Sequence, residues 1–245
     1  MLRGLTHDRR WMVVEPSGEL VTQRERPELA RIQTAVGGGV LRLTAPGMPA
    51  LELPLEPQTE HPFTVTMWTS PVAASLVEAA GDWLSTFLGG LYRLVYMPDS
   101  SFRPHPNRPE IPLGFADGNP LLLMSEASVE DLNGRLETPV SMKNFRPNLV
   151  VGGCAPYAED DWDALHLGGL RLERLGACVR CTIVNIDPET SAYRREPLRT
   201  LARYRRRGNE VQLGQLYHIV GEPASISCGD ALTLWEPGME SCGAA

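Results

Sequence analysis

Apolar and polar residues alternate with a period of two through much of the first hundred positions. Val40-Leu-Arg-Leu-Thr44, Leu51-Glu-Leu-Pro-Leu55 and Phe63-Thr-Val-Thr-Met-Trp68 each send every second side chain to one face, which predicts half-buried strands. Trp11-Met-Val-Val-Glu15 and Leu20-Val-Thr-Gln23 flank Pro16-Ser-Gly18, a predicted hairpin turn with glycine available for positive φ. The period then changes. Leu76, Ala79, Ala80, Trp83, Leu84 and Phe87 recur at helical spacing, and Gly89-Gly90 supplies a C-terminal stop. Tyr92-Arg-Leu-Val-Tyr-Met97 returns to strand.

Residues 98–112 are rich in Pro, Arg and Ser and predict a long loop, functional or mobile, at a subdomain boundary. Beyond it, Pro120–Met124 reads as a buried strand. Ser128–Leu136 reads as a helix, with Ser128 and Asp131 in a capping-box-like relation. Asn148–Val151, Leu170–Leu175, Thr182–Ile186, Val211–Leu213, Leu216–Val220 and Ala231–Trp235 read as strands, and Pro197 suits the first turn of an arginine-rich helix. Many strands with few, separated helices predict an α+β fold built on a β-barrel-like sheet.

Composition narrows the function classes. The net charge of −7 does not invite nucleic acid. No apolar run approaches the roughly 18 residues of a membrane span. Five cysteines without a secretory signal predict reduced thiols in a cytoplasmic setting. Positive charge is nonetheless concentrated in Arg194, Arg195, Arg199, Arg203 and Arg205–Arg207. This segment is either a solvated helix face or a docking surface for an anionic cofactor or an acidic redox partner.

Cys178-Val-Arg-Cys181 is the first candidate for chemistry. A zinc site normally needs a second such pair, which is absent. A thioredoxin-like pair opens a helix, whereas β-branched Thr182–Ile186 favours strand. A single functional thiolate, Cys181, beside the charge of Arg180 is a third reading, and two inert cysteines a fourth. Arg146, in Asn144-Phe-Arg-Pro-Asn148, precedes a proline and is expected in extended geometry; with Asn148 it suits a phosphate or a heterocycle edge. Asp8-Arg9 and Asp117-Gly-Asn-Pro120 precede strands and are turns with surface ion pairs or ligand contacts. The five histidines lack metal-ligand spacing and read as structural or exposed, and Glu159-Asp160-Asp161 reads as a solvated acidic turn. No Walker loop, GxGxxG or GxSxG motif is present.

Taken in order, these segments resemble the MOSC family, in the branch of the mitochondrial amidoxime-reducing component and its bacterial relatives. The matching stretches are His7–Val14, Leu113–Pro120, Ser125–Ser128 with Asp131–Asn133, Asn144–Asn148, Tyr157–Trp162, Arg180-Cys181 through Asp187–Thr190, Glu196–Leu201 and Gly229-Asp230. The resemblance implies a molybdenum cofactor (molybdopterin with Mo) whose metal is bound by Cys181. It implies cofactor contacts at Arg9, Arg146, Asn148 and the backbone around Val179-Arg180, and a loop acid at Asp117 with Gly118 and Asn119 beside it. Thiolate is a soft donor suited to this metal, and an anionic pterin phosphate suits arginine.

The chain departs from the family pattern in three places. It lacks the first strand and its Val-Lys-Ser-like motif, whose lysine helps hold the pterin phosphate. Leu216 stands where relatives carry a tyrosine. Only Cys228 and Cys242 follow residue 181, so no iron–sulfur cluster motif supplies electrons. The implied organisation is a β-rich N-terminal subdomain over 1–97 without that strand, a loop over 98–112, the MOSC domain over 113–236 and a tail over 237–245. The implied activity is molybdenum-dependent reduction of small N-hydroxylated compounds, with electrons from a separate ferredoxin-like or cytochrome-b5-like protein. The alternative is a sulfur carrier or cofactor-binding module that uses Cys181 as a persulfide or ligand.

Overall fold

The computed structural model describes residues 3–57 and 61–235, so the 237–245 tail and Cys242 lie outside the described residues. The chain forms two compact units. One comprises Arg3–Gly118 with Cys181–Leu198; the other comprises Asn119–Arg180 and the chain from Arg199 onward. Among the described residues, no helix is long and apolar enough to cross a membrane.

The first unit contains β1 (Trp11–Val14), β2 (Gln33–Gly37), β3 (Val40–Thr44), β4 (Leu51–Pro54), β5 (Pro62–Met67), β6 (Ser70–Val77), α1 (Gly81–Leu88) and β7 (Arg93–Tyr96). Its main sheet has the order β1-β7-β6-β5, and β2-β3-β4 form a smaller antiparallel sheet. The period-two pattern loads both faces of the main sheet. Trp11, Val13, Leu94 and Tyr96 join one core with Leu41, Leu43, Leu53 and Trp83. Met12, Val14, Val95 and Met97 join the other with Val65, Val72 and Phe115. A sheet buried on both sides has a fixed register, because a one-residue slip would exchange every side chain between the two cores.

The second unit contains β8 (Leu121–Ser125), α2 (Glu126–Asn133), β9 (Leu149–Val151), β10 (Ala164–Leu167), β11 (Leu170–Val179), α3 (Leu198–Tyr204, largely in this unit), β12 (Arg206–Arg207), β13 (Glu210–Val220) and β14 (Leu232–Leu234). The strands run β14-β10-β11-β13-β8-β9, with β12 paired to β13, and curl into a nearly closed barrel-like sheet. The long pair β11 and β13 shifts register twice, between Arg174 and Gly176 and between Ala177 and Val179. Such irregularities increase the local twist and help a sheet curl. Val211–Leu213 and Leu216–Val220 are therefore parts of one long strand, which Gly214 lets pass close to β8. Gly214 has φ +76°, and a Cβ there would lie 2.6 Å from Met124 Cγ and 2.9 Å from the Leu123 carbonyl oxygen.

Several local expectations are corrected by the observed structure. Helix α2 is capped by Ser125, whose Oγ accepts from Ser128 N at 3.1 Å, so Ser128 lies inside the helix. Leu76 and Val77 complete β6, and the helix that ends at Gly89 begins only at Gly81. Leu20–Gln23 makes one bridge to Val14 and then turns, because the Glu25 carboxylate accepts from both Thr22 N and Oγ1. Thr182–Asn185 is a 3-10 turn despite three β-branched residues, closed locally by Val184 N donating to the Cys181 carbonyl and Ile186 N to the Ile183 carbonyl.

The acidic turn is solvated only at Asp161, which is exposed. Glu159 is fully buried, and its Oε1 accepts from Ser125 N and Ser128 Oγ. Asp160 accepts from Arg205 Nη2 at 2.6 Å and Gln215 Nε2 at 2.7 Å. Tyr157, at φ +64°, donates its hydroxyl to Asp131 at 2.6 Å and meets the Tyr204 hydroxyl at 2.9 Å. The network thus ties α2, the 157–161 turn, α3 and β13 together. Hydrogen bonds from Arg135 and from Tyr157 hold the Asp131 carboxyl below its ordinary range. Burial, then the bond to Asp131, pushes the Tyr157 phenol well above its ordinary range.

Gly214→Ala is expected to cost about 2–3 kcal/mol in urea unfolding, because it combines overpacking with a positive φ. Gly208→Ala, at φ +59° with open space around it, is expected to lose only the conformational part, about 1 kcal/mol. The two carboxyl and phenol shifts act on opposite limbs of the pH profile. Asp131 stabilises the fold above its unfolded value of about 3.9, and this is lost as pH falls through its lower folded value. Tyr157 contributes below an unfolded value of about 10, and its contribution is lost as pH rises toward the folded value. Unfolding of Tyr157→Phe followed above about pH 10 is therefore expected to show a shallower alkaline loss than the parent chain.

Candidate functional site

In the first unit, the His7–Val14 and Leu113–Pro120 segments meet through main chain. Phe115 N donates to the Arg9 carbonyl at 2.6 Å. Gly114 is required there, since a Cβ would stand 2.6 Å from that same oxygen. Arg9 itself has φ +53°, a conformation uncommon for a side-chain-bearing residue. Its Nε lies 3.6 Å from the Asp8 carboxylate.

The loop bearing Asp117 is clamped from beneath. Arg103, buried in the 98–112 segment, donates Nη1 to the Gly114 carbonyl at 2.9 Å and the Ala116 carbonyl at 2.7 Å, and Nη2 to the Asp117 carbonyl at 3.0 Å. Burial lowers the Arg103 guanidinium from its ordinary range while Asp117 opposes that shift. A second donor, Trp68 Nε1, reaches the Asp117 carbonyl at 3.3 Å. The Asp117 side chain is exposed, and Gly118 leaves open space around its Cα.

From Trp68 the contacts continue to the cysteine. The Arg24 guanidinium lies over the Trp68 ring at 5.7 Å, and its Nη2 donates to Cys181 Sγ at 3.2 Å. Cys181 is a free, half-buried thiol that precedes the 3-10 turn Thr182–Asn185. Asp117 and Cys181 are therefore linked within one unit by Trp68 and Arg24.

In the second unit, the Asn144–Asn148 motif and the end of β11 are joined by Arg180. Its guanidinium is buried, donating to the Leu213 carbonyl at 2.8 Å and the Phe145 carbonyl at 3.2 Å, with Met124 Sδ at 2.9 Å. Its backbone N–H goes to the Val211 carbonyl at 2.8 Å. Arg180 thus organises this unit, and the guanidinium that meets the Cys181 thiol belongs to Arg24. Arg146 departs from the extended geometry expected before a proline and has φ +55°. The reason is its place one residue past Phe145, the C-cap of the 3-10 turn Met142–Asn144, where left-handed backbone ends a helical turn. Asn148 pairs twice with Leu122, through its backbone N–H to the carbonyl at 2.8 Å and through Oδ1 from the amide at 2.9 Å, and so starts the parallel β8–β9 ladder. Asn119 is half-buried, and Val179 is half-exposed at the end of β11.

Arg24, Trp68 and Arg103 carry no motif signal. Arg24 lies in a polar turn, Trp68 ends an ordinary strand pattern, and Arg103 sits in a proline-rich loop. Only the folded chain brings them to the Asp117 loop and the thiol. Arg103→Met is expected to destabilise the chain by about 2–4 kcal/mol in chemical denaturation, because three carbonyls lose their buried charged donor.

The MOSC domain model matches residues 111–233, and the MOSC N-terminal beta barrel domain model matches residues 2–90. The human "Mitochondrial amidoxime-reducing component 1" is 36% identical over 94% of this chain and 74% of its own length. Its Danio rerio counterpart is 35% identical over 90% and 74%. The Bos taurus "Mitochondrial amidoxime reducing component 2" is 34% identical over 82% of this chain and 63% of its own length. With two domain models matching in order and relatives of this identity over most of its length, the chain belongs to the MOSC family.

Proposed function

We propose that this chain is a molybdenum-cofactor-dependent reductase of small N-hydroxylated compounds, with Cys181 as the protein ligand to the metal. The family binds the molybdenum cofactor, and the relatives are named for amidoxime reduction. The observation that carries the reading to this chain is the Cys181 thiol, free and half-buried, with the Arg24 guanidinium 3.2 Å from its sulfur.

The residues present fit such a group. A thiol is the soft donor that molybdenum takes. Among the described residues Arg9 has one ion-pair contact, 3.6 Å from Asp8, so most of its donor fork is available to an anionic phosphate. Arg9 and Arg146 are two of the six described side-chain-bearing residues at positive φ, and such backbones concentrate at ligand-binding positions. By motif position Arg9, Arg146, Asn148 and the carbonyl side of Val179 would hold the pterin and its phosphate. Arg180 fixes the strand end leading into Cys181, and the open space at Gly118 gives the chain beside Asp117 room for the bound group, with Asn119 a contact by motif position.

When bound, the cofactor supplies the two-electron chemistry that removes the oxygen of an N–OH group. Two protons and two electrons balance the reaction, which yields the N–H compound and water. Asp117 is the residue that would relay protons in this reading, which its exposed carboxylate and the loop held by Arg103 and Trp68 support. The electrons come from a separate donor protein.

Elemental analysis of protein made in a cofactor-competent host tests the ligand assignment. Cys181→Ser is expected to lose metal by more than the roughly 10–100-fold cost of removing an outer-shell partner, together with benzamidoxime reduction. Retention of both would sink the assignment. A persulfide on Cys181 in metal-free native protein, seen by mass spectrometry, would favour sulfur carriage instead.

A further inference from the structure

The pair beside the thiol has features that cysteine ligation does not require. Trp68 leaves 50% of its surface to solvent, although it is among the largest apolar side chains in the unit. It also holds φ +59°, a left-handed backbone that a bulky side chain rarely adopts. The ring does not swing freely, because Nε1 is bonded to the Asp117 carbonyl at 3.3 Å. A fixed, half-open indole is a stacking surface for a planar ligand.

Arg24 adds a charge that the protein leaves unneutralised. Among the described residues no carboxylate pairs with it. The neighbouring Glu25 carboxylate is drawn away into the turn, accepting from Thr22 N at 2.9 Å and Oγ1 at 3.1 Å. The same turn is closed by Arg24 N donating to Thr22 Oγ1 at 3.2 Å. The backbone therefore aims an unpaired guanidinium across the indole at the cysteine. On a chain of net charge −7, this is a local cation beside the cysteine thiol.

We propose that Arg24 and Trp68 form a substrate-recognition pair that stacks planar N-hydroxylated compounds and favours those bearing a carboxylate over those bearing an ammonium group. The proposal rests on the reductase reading and names the substrate class for that site. Trp68 supplies affinity irrespective of charge. Arg24 supplies the discrimination, which at an exposed position is expected to be up to about fivefold. A guanidinium over an indole also offers its N–H edge to a neutral N–OH oxygen, so uncharged planar substrates are accepted between the two extremes.

The test uses full-length, cofactor-loaded protein and three compounds: benzamidoxime, its 4-carboxy derivative and its 4-aminomethyl derivative. The KM of the carboxylate is expected to be about three- to fivefold below that of the ammonium compound. Arg24→Gln should erase this ratio, and Arg24→Lys should restore most of it. Trp68→Leu should raise KM for all three while keeping the ratio. Calorimetric titration with 4-carboxybenzamide, which lacks the N–O bond, reads the same pair without turnover. Its affinity should fall by the same factor in Arg24→Gln and should fall in Trp68→Leu, with molybdenum content measured for each variant. A charge preference that survives Arg24→Gln, an analogue affinity unaffected by both variants, or no analogue binding at all would overturn the proposal. If wild-type protein holds molybdenum and reduces none of the amidoximes, the reductase reading fails, while the calorimetry still decides the recognition pair.

Discussion

A single buried guanidinium sets the geometry of the first unit's candidate site. Arg103 places two of its nitrogens on the carbonyls of Gly114, Ala116 and Asp117, three acceptors that no strand ladder reaches. Buried carbonyls without donors are costly, and a charged donor shared among them converts a loop into a rigid support. Arg103 holds the Asp117 main chain, the Trp68 indole donates to the same Asp117 carbonyl, and the Arg24 guanidinium lies over that indole. The loop over 98–112 therefore earns its length by delivering Arg103.

The second unit uses the same device. Arg180 lies inside the barrel-like sheet and bonds carbonyls from β13 and from the Asn144–Asn148 motif. Two arginines thus act as internal struts, and two others, Arg9 and Arg146, are held at positive φ with their backbones committed by turns. Arginine suits the first task because its planar fork satisfies several acceptors at once and keeps its charge when buried. What separates the two struts from Arg9 and Arg146 is burial, which residue type does not reveal.

The resemblance and the structure divide the argument for function. The ordered motifs point to the family, and family membership is established by the matching domain models and relatives. The geometry adds the free thiol, its arginine neighbour and the locked acid loop. These are features of this chain's own residues, and they make the reductase reading open to test at the level of single side chains.

Local sequence determined β1, β3, β4, β5 and β7 of the first unit, since the period-two alternation of β1 and β7 is the loading of two cores, whereas β2 and β6 carried no such signal and emerged only in the fold. It also determined the end of α1 at Gly89, where only a residue without a Cβ adopts the left-handed cap without strain. Local reading failed where a competing neighbour or a distant partner took over a polar group. Ser125 displaced Ser128 as the cap of α2, Glu159 left the solvent for two serines, and Thr182–Asn185 closed into a 3-10 turn. The site divides in the same way. Cys181, Asp117, Arg9 and Arg146 were legible because they stand in motifs. Arg24, Trp68 and Arg103 were not, because their roles are set by contacts across 157, 49 and up to 14 positions. Period and motif are properties of neighbours in the chain, whereas the guanidinium on the thiol exists only once tertiary packing has brought two distant turns together.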